Sequence, residues 1–276
     1  MRNKILFFSF VLCLASCSKR ESKTEDNPIL PRVPKETEAV FEKAFPGVLT
    51  GPAYADSIIR YINRVYHVST DKILMGASTC VDDIIYTKNF RLHKEIKGPF
   101  HLGGLAGLPF TGISGLEAFA HHIPDDGVML LIITPHIGYS QSSGWGFVLR
   151  HEQHEASTCC GALMGTLRKL EDGKLNPVIT EDDYQGGKIS EMALLHQNEI
   201  KTADHPIIEL TKITSLEAEK QIREHILEVD LKHVKYIMIT TGIMINTDYT
   251  YTDYLWMQHF MVYDVSKKAF IEELKK

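Results

Sequence analysis

One stretch constrains this chain more than any other: Ile123-Pro124-Asp125-Asp126-Gly127, then the unbroken apolar run Val-Met-Leu-Leu-Ile-Ile over residues 128–133, then Thr134-Pro135-His136. The Pro-Asp-Asp-Gly segment is a turn signal. The run behind it has no polar face, so it reads as a central parallel strand covered on both sides. It also ends on a histidine, a polar residue set where the core stops.

The other elements follow by period. Residues 53–66, AYADSIIRYINRVY, place Ile58, Ile59, Ile62, Val65 and Tyr66 at helical spacing. Residues 72–78, KILMGAS, read as a short buried strand, and Asp82 and Asp83 after it suit a turn or a helix start. Residues 156–173 read as a helix capped by Ser157 or Thr158, with Leu163, Leu167 and Leu170 on one face and Gly173 at its end. A helix over 215–230 and late strands over 235–246 and 257–266 complete the pattern. Strands alternating with helices predict an α/β fold: a mostly parallel central sheet flanked by helices.

The N-terminus reads as a targeting segment. Arg2 and Lys4 precede a short apolar core over residues 5–12, far below the roughly 20 residues a bilayer span needs. Leu14-Ala15-Ser16-Cys17 resembles a lipobox, which predicts cleavage before Cys17, a lipid on that cysteine and residence on the bacterial cell envelope, on the periplasmic or outer-membrane side. Residues 1–16 are then a lipoprotein signal peptide. Residues 17–37, rich in charge, Ser and Pro, are a flexible tether, and 38–276 form one domain. Without residues 1–16, 28 basic face 35 acidic residues, a balance of −7. That balance and the lack of a basic cluster argue against nucleic acid as a partner.

With Cys13 removed and Cys17 lipidated, three thiols remain: Cys80, Cys159 and Cys160. A Cys80–Cys160 disulfide with Cys159 buried is one reading. A metal site is the other. In open α/β sheets ligands bind beyond the carboxyl ends of strands, and Cys80 and His136 both fall just past such ends. Cys160 falls at a helix N-terminus, which stabilises a thiolate. Imidazole and thiolate together suit tetrahedral zinc. No short zinc-finger spacing is present, since His136 comes 56 residues after Cys80 and 24 before Cys160.

The stretches LMGASTCVDD (74–83), HLGGLAGLPFTGISGLEAFAHHIPDDGVMLLIITPHIGYS (101–140) and CCGAL (159–163) resemble the limiting-CO2-inducible (LCIB-like) proteins, the theta class of carbonic anhydrase. The resemblance covers roughly residues 73–165. It implies a beta-carbonic-anhydrase-like fold, CO2 and bicarbonate as substrate and product, and a homodimer. It also implies a zinc held by Cys80, His136 and Cys160 with water in the fourth position. Cys160 is preferred to Cys159 because Cys160-Gly161-Ala162 matches the family's Cys-Gly-Ala. In the family's Cys-x-Asp-x-Arg pattern the Asp orients the zinc-bound hydroxide and the Arg keeps it off the metal. Asp82 is present here, but Ile84 stands where Arg is expected. Either another cation, Arg91 or Arg150, holds Asp82, or Asp82 swings onto the metal and closes the site. His101, His121 and His122 are candidate proton acceptors.

Two rival functions stay open: a non-catalytic zinc- or bicarbonate-binding lipoprotein, and a thiol enzyme with Cys80 or Cys160 as nucleophile and His136 as base. Other motifs carry less. His151 and His154 are three apart, not four as a zinc-protease helix needs, so RHEQHE (150–155) reads as a solvated stretch. GGLAG lacks a phosphate loop's lysine, so its glycines read as close backbone packing. The tyrosine-rich residues 246–256 read as a surface loop or a dimer contact.

Overall fold

The computed structural model of the protein describes residues 30–87 and 96–275. The expected signal segment, Cys17 and Arg91 lie outside the described residues. Val33 is already buried and the first helix starts at Lys35, inside the stretch expected to be tether.

In chain order the elements are α1 (Lys35–Ala44), β1 (Leu49–Thr50), α2 (Gly51–Tyr66), β2 (Ile73–Thr79), α3 (Ile84–Thr87), β3 (Lys97–His101) and α4 (Gly112–Ala120). The middle of the chain gives β4 (Gly127–Thr134), β5 (His136–Ser140), β6 (Gly144–Trp145), β7 (Phe147–Val148) and β8 (Ser157–Thr158). Helices α5 (Gly161–Glu171), α6 (Tyr184–Leu195), α7 (Gln197–Thr202) and α8 (Pro206–Glu228) come next. Strands β9 (Val234–Thr247), β10 (Tyr254–Asp264) and β11 (Ala269–Lys275) close it.

The main sheet runs β1-β10-β9-β4-β2-β3. Its centre, β3-β2-β4-β9, is parallel, while β10 pairs antiparallel with β9, β11 and β1. All eight positions of β4 are buried, as its sequence requires. Each fully buried Leu or Ile in it contributes about 1.5–3 kcal/mol.

Pro135 has no N–H to give a ladder, and the pairing breaks there. β4 pairs β9 as far as Ile133↔Thr241, and β5 resumes along the same strand with His136↔Met244. Across the break, Met244 N–H donates to the Pro135 carbonyl at 2.9 Å. β3 lies on one side of β2 and β4 on the other, so the strand order reverses between β2 and β4. Their carboxyl ends frame the crevice where α/β folds bind ligands.

Three sequence expectations change. The α5 cap is Cys160, while Ser157 and Thr158 pair with Phe147 and Val148 in a two-stranded ribbon. The helix expected over 215–230 starts earlier, at Pro206, whose fixed φ suits a first helical turn. β10 begins at Tyr254, whose buried ring turns inward and whose hydroxyl donates to Glu38 Oε1 at 2.7 Å.

Candidate metal centre and active site

The β2–β4 register sets Thr79 beside Thr134. Cys80 is therefore one residue past its strand and His136 two past its own, on neighbouring carboxyl ends. Cys160 arrives as the N-cap of α5. Ligand atoms of Cys80, His136 and Cys160 all lie within 4.8 Å of one another. The Cys80 and Cys160 sulfurs are 3.8 Å apart, and all three described cysteines are free, so the disulfide reading does not hold. The group is sealed in: Cys80 is 2% exposed, His136 0% and Cys160 1%.

The glycine-rich segment after β3 roofs this crevice. A Cβ on Gly103 would sit 2.0 Å from the Thr79 carbonyl oxygen. Gly107, at φ +80°, would bring one within 3.1 Å of Pro135 Cα and 3.4 Å of Cys80 N. Side chains at either position would push the roof off the strand ends, as the close-packing reading requires.

The donor set fits a metal. His136 Nε2 is buried and has no hydrogen-bond partner among the described residues, a state that costs about 1–3 kcal/mol if nothing binds it. Two thiols face the same space, and the amino end of α5 favours negative charge at Cys160. Hydrogen bonding with Cys160 and burial push the Cys80 thiol up. Burial pushes the His136 imidazole down, but the Cys159 and Cys80 sulfurs beside the ring outweigh it and hold it well above its ordinary value. Such a pocket holds protons until a cation replaces them.

Asp82 follows two residues after Cys80, its Oδ2 3.9 Å from His136 Nε2. Ile84 is buried with Val148 and Cys159 in a small apolar cluster, a place unsuited to a guanidinium. The missing cation comes from Arg150 instead. Its Nη2 donates to Asp82 Oδ1 at 2.8 Å and its Nε to Asp83 Oδ1 at 3.1 Å. Nη1 donates to Ser157 Oγ at 2.7 Å and to the Thr158 carbonyl at 3.3 Å. Four contacts fix the planar fork. Burial pushes the Asp82 carboxyl up, but a hydrogen bond with Asp83, the positive charge of His136 and Arg150 outweigh it and hold it below its usual range. Residues 151–155 are largely exposed as expected; Arg150 alone turns inward.

Asn246 was not among the expected site residues. It is fully buried at the end of β9, with its Oδ1 2.8 Å from His136 Nδ1. Its Nδ2 donates to Asp253 Oδ2 at 3.1 Å. The start of the 246–256 segment is thus interior, not a surface loop, because β5 carries the sheet on beside β9 as far as Thr247. The sequence signal was there, a polar residue ending an apolar run, just as His136 ends one. Cys159 is buried with its sulfur 3.5 Å from His136 Nδ1, on the Asn246 side of the ring. A second possible ligand group, Asp82, His136 and Cys159, is also close-set, but Cys159 meets the ring nitrogen that faces Asn246. His101 is exposed at the end of β3, and His121 and His122 are exposed after α4, against His233 and Phe100.

The family model for limiting CO2-inducible proteins B/C, beta carbonic anhydrases, matches residues 51–264. PtLCIB4, a homolog of the limiting CO2-inducible protein LCIB, has a crystal structure similar to this one with a TM-score of 0.74. The two share 25% identity over 86% of this chain and 99% of that one. LCIB itself is similar at a TM-score of 0.59 and 16% identity, over 83% of this chain and 96% of that one; at that identity the likeness shows the fold alone. No curated protein sequence matches the chain.

The geometry separates the adjacent cysteines. Cys160→Ser should strip the metal from the purified chain, and Cys159→Ser should largely keep it, as read by elemental analysis. The opposite pattern would make Cys159 the ligand.

Proposed function

The chain belongs to the family of limiting CO2-inducible proteins B/C, and on that premise we propose that it is a zinc-dependent carbonic anhydrase of the theta class, hydrating CO2 reversibly to bicarbonate. One observation carries the reading: Cys80, His136 and Cys160 converge at the strand switch point beside an Asp82 that Arg150 restrains. Cys80, His136 and Cys160 would hold the zinc, which when bound supplies the Lewis acidity that makes water a nucleophile near neutral pH. Two thiolates weaken that acidity compared with a three-histidine set, so Asp82 has more to do. Its Oδ2 accepts a hydrogen bond from the attacking water and orients it. Arg150 occupies Oδ1 and stops the carboxylate from becoming a further ligand. That restraint weighs against the non-catalytic reading, and the raised Cys80 thiol, the reverse of an activated nucleophile, weighs against Cys80 as the nucleophile of a thiol enzyme.

Asp82→Ala should keep its zinc and lose CO2 hydration in stopped-flow assays by at least the 10²-fold typical of a lost acid–base group, and Arg150→Met should follow it. A zinc-replete wild type inactive across pH 7–9 would leave the binding-protein reading in its place.

Metal uptake should depend on pH in a set direction. Cys80 and His136 both hold protons above their ordinary values, and those protons must leave before a cation binds. Affinity should therefore fall as pH drops, with protons released at neutral pH. Calorimetry in two buffers of different ionisation enthalpy measures the release; uptake without protons contradicts the assignment.

Lipid attachment at Cys17 on the cell envelope belongs to the same proposal and is supported by the Leu14-Ala15-Ser16-Cys17 motif. No helix among the described residues is long and apolar enough to cross a membrane. Cys17→Ser should move the chain to the soluble fraction; a processed variant still on the membrane argues against the anchor.

A further inference from the structure

Resting on the metal reading above, we propose that Asn246 and Asp253 are positioning residues that fix which nitrogen of His136 is offered to the metal. The order of donors and acceptors leaves a single solution. The Asp253 carboxylate accepts at one end: Thr247 N–H donates to its Oδ1 at 2.8 Å. Its Oδ2 faces an Asn246 side-chain terminus at 3.1 Å. A carboxylate only accepts, so the Asn246 terminus facing it is the NH2 group. The other end of that amide is therefore the carbonyl oxygen, and it faces His136 Nδ1 at 2.8 Å. An amide oxygen also only accepts, so the proton sits on Nδ1. In the neutral ring that a metal requires, the lone pair is then on Nε2, the buried nitrogen with no partner among the described residues, on the side of the ring where Asp82 lies.

Cys159 fits the same arrangement. Its thiol reaches the Asn246 oxygen as a second, longer donor at 3.9 Å. Asn246 is fully buried and ends a strand held in register by β5, so the amide has no solvent to turn toward. The orientation starts from Asp253, in the loop before β10, and is passed through one amide to one imidazole.

The test uses the full chain loaded with cobalt(II), whose thiolate and imidazole ligation is visible in the absorption spectrum, and measures affinity by competition with a chelator. Asn246→Ala removes the oxygen that accepts from Nδ1–H and leaves it only the longer contact to Cys159 Sγ at 3.5 Å, and Asp253→Asn lets the amide turn either way. Each should weaken cobalt binding about 10- to 100-fold, the usual effect of losing the hydrogen bond behind a ligating histidine. The exchanged pair, N246D/D253N, restores the pattern with the amide and the carboxylate swapped, and should recover most of the loss. A purely structural role predicts no recovery. A second measurement needs no variant: in the zinc-loaded wild type, the imidazole 15N–1H correlation of His136 should place its proton on Nδ1. A proton on Nε2, single variants that bind like wild type, or an exchanged pair no better than its parents would overturn the assignment. A wild type that takes up no metal overturns the metal reading itself, so the two failures are told apart.

Discussion

The pairing of β2 with β4 sets the conditions for everything near the site. Both strands are almost wholly buried, so each backbone N–H and C=O must find its partner in the ladder or go without. A slip of one residue would turn every side chain of β4 to the opposite face. With Thr79 held opposite Thr134, Cys80 just past the end of β2 and His136 at the start of β5 are set close together. Core packing, not the affinity of the two residues for anything, brings them together. The roof over them depends on the same frame, since Gly103 and Gly107 approach backbone that only this register puts in place.

A dry, crowded pocket is a poor place for polar groups unless each is answered. Here the answers come from opposite directions. Arg150 holds the carboxylate on the open side, and Asn246, backed by Asp253, holds the imidazole on the interior side. Asp82, His136, Arg150, Asn246 and Asp253 come from four separate stretches of chain, so sheet, ribbon and late loop must all be formed before the pocket is complete.

Much of this was legible in sequence because it is local. Six apolar residues after a turn signal announce β4, and Cys80, His136 and Cys160 stand out as polar or soft residues where apolar segments stop or start. Asp82 and the vacant arginine position could be read from their distance to Cys80. What failed was nonlocal. Ser157 and Thr158 are sound capping residues by composition, but the β7–β8 ribbon claims them. Arg150 was one of two cations that could serve, and nothing in RHEQHE says which residue turns inward. Asn246 looked like the start of a loop because Thr, Asp and Tyr surround it. Its burial comes from β5 continuing along β9 beyond Pro135, a pairing that no periodicity encodes.

The arginine that restrains Asp82 is carried by a solvent-facing turn and not by the strand-end segment that supplies the carboxylate. Ile84, freed from that duty, packs inward with Val148 and Cys159. Scaffold and control are thereby divided between different parts of the chain. A change in the turn around Arg150 therefore reaches the carboxylate from outside the strand ends that carry Cys80 and His136. On the proposed function, a chain built on this plan can change its rate through that turn while keeping one architecture.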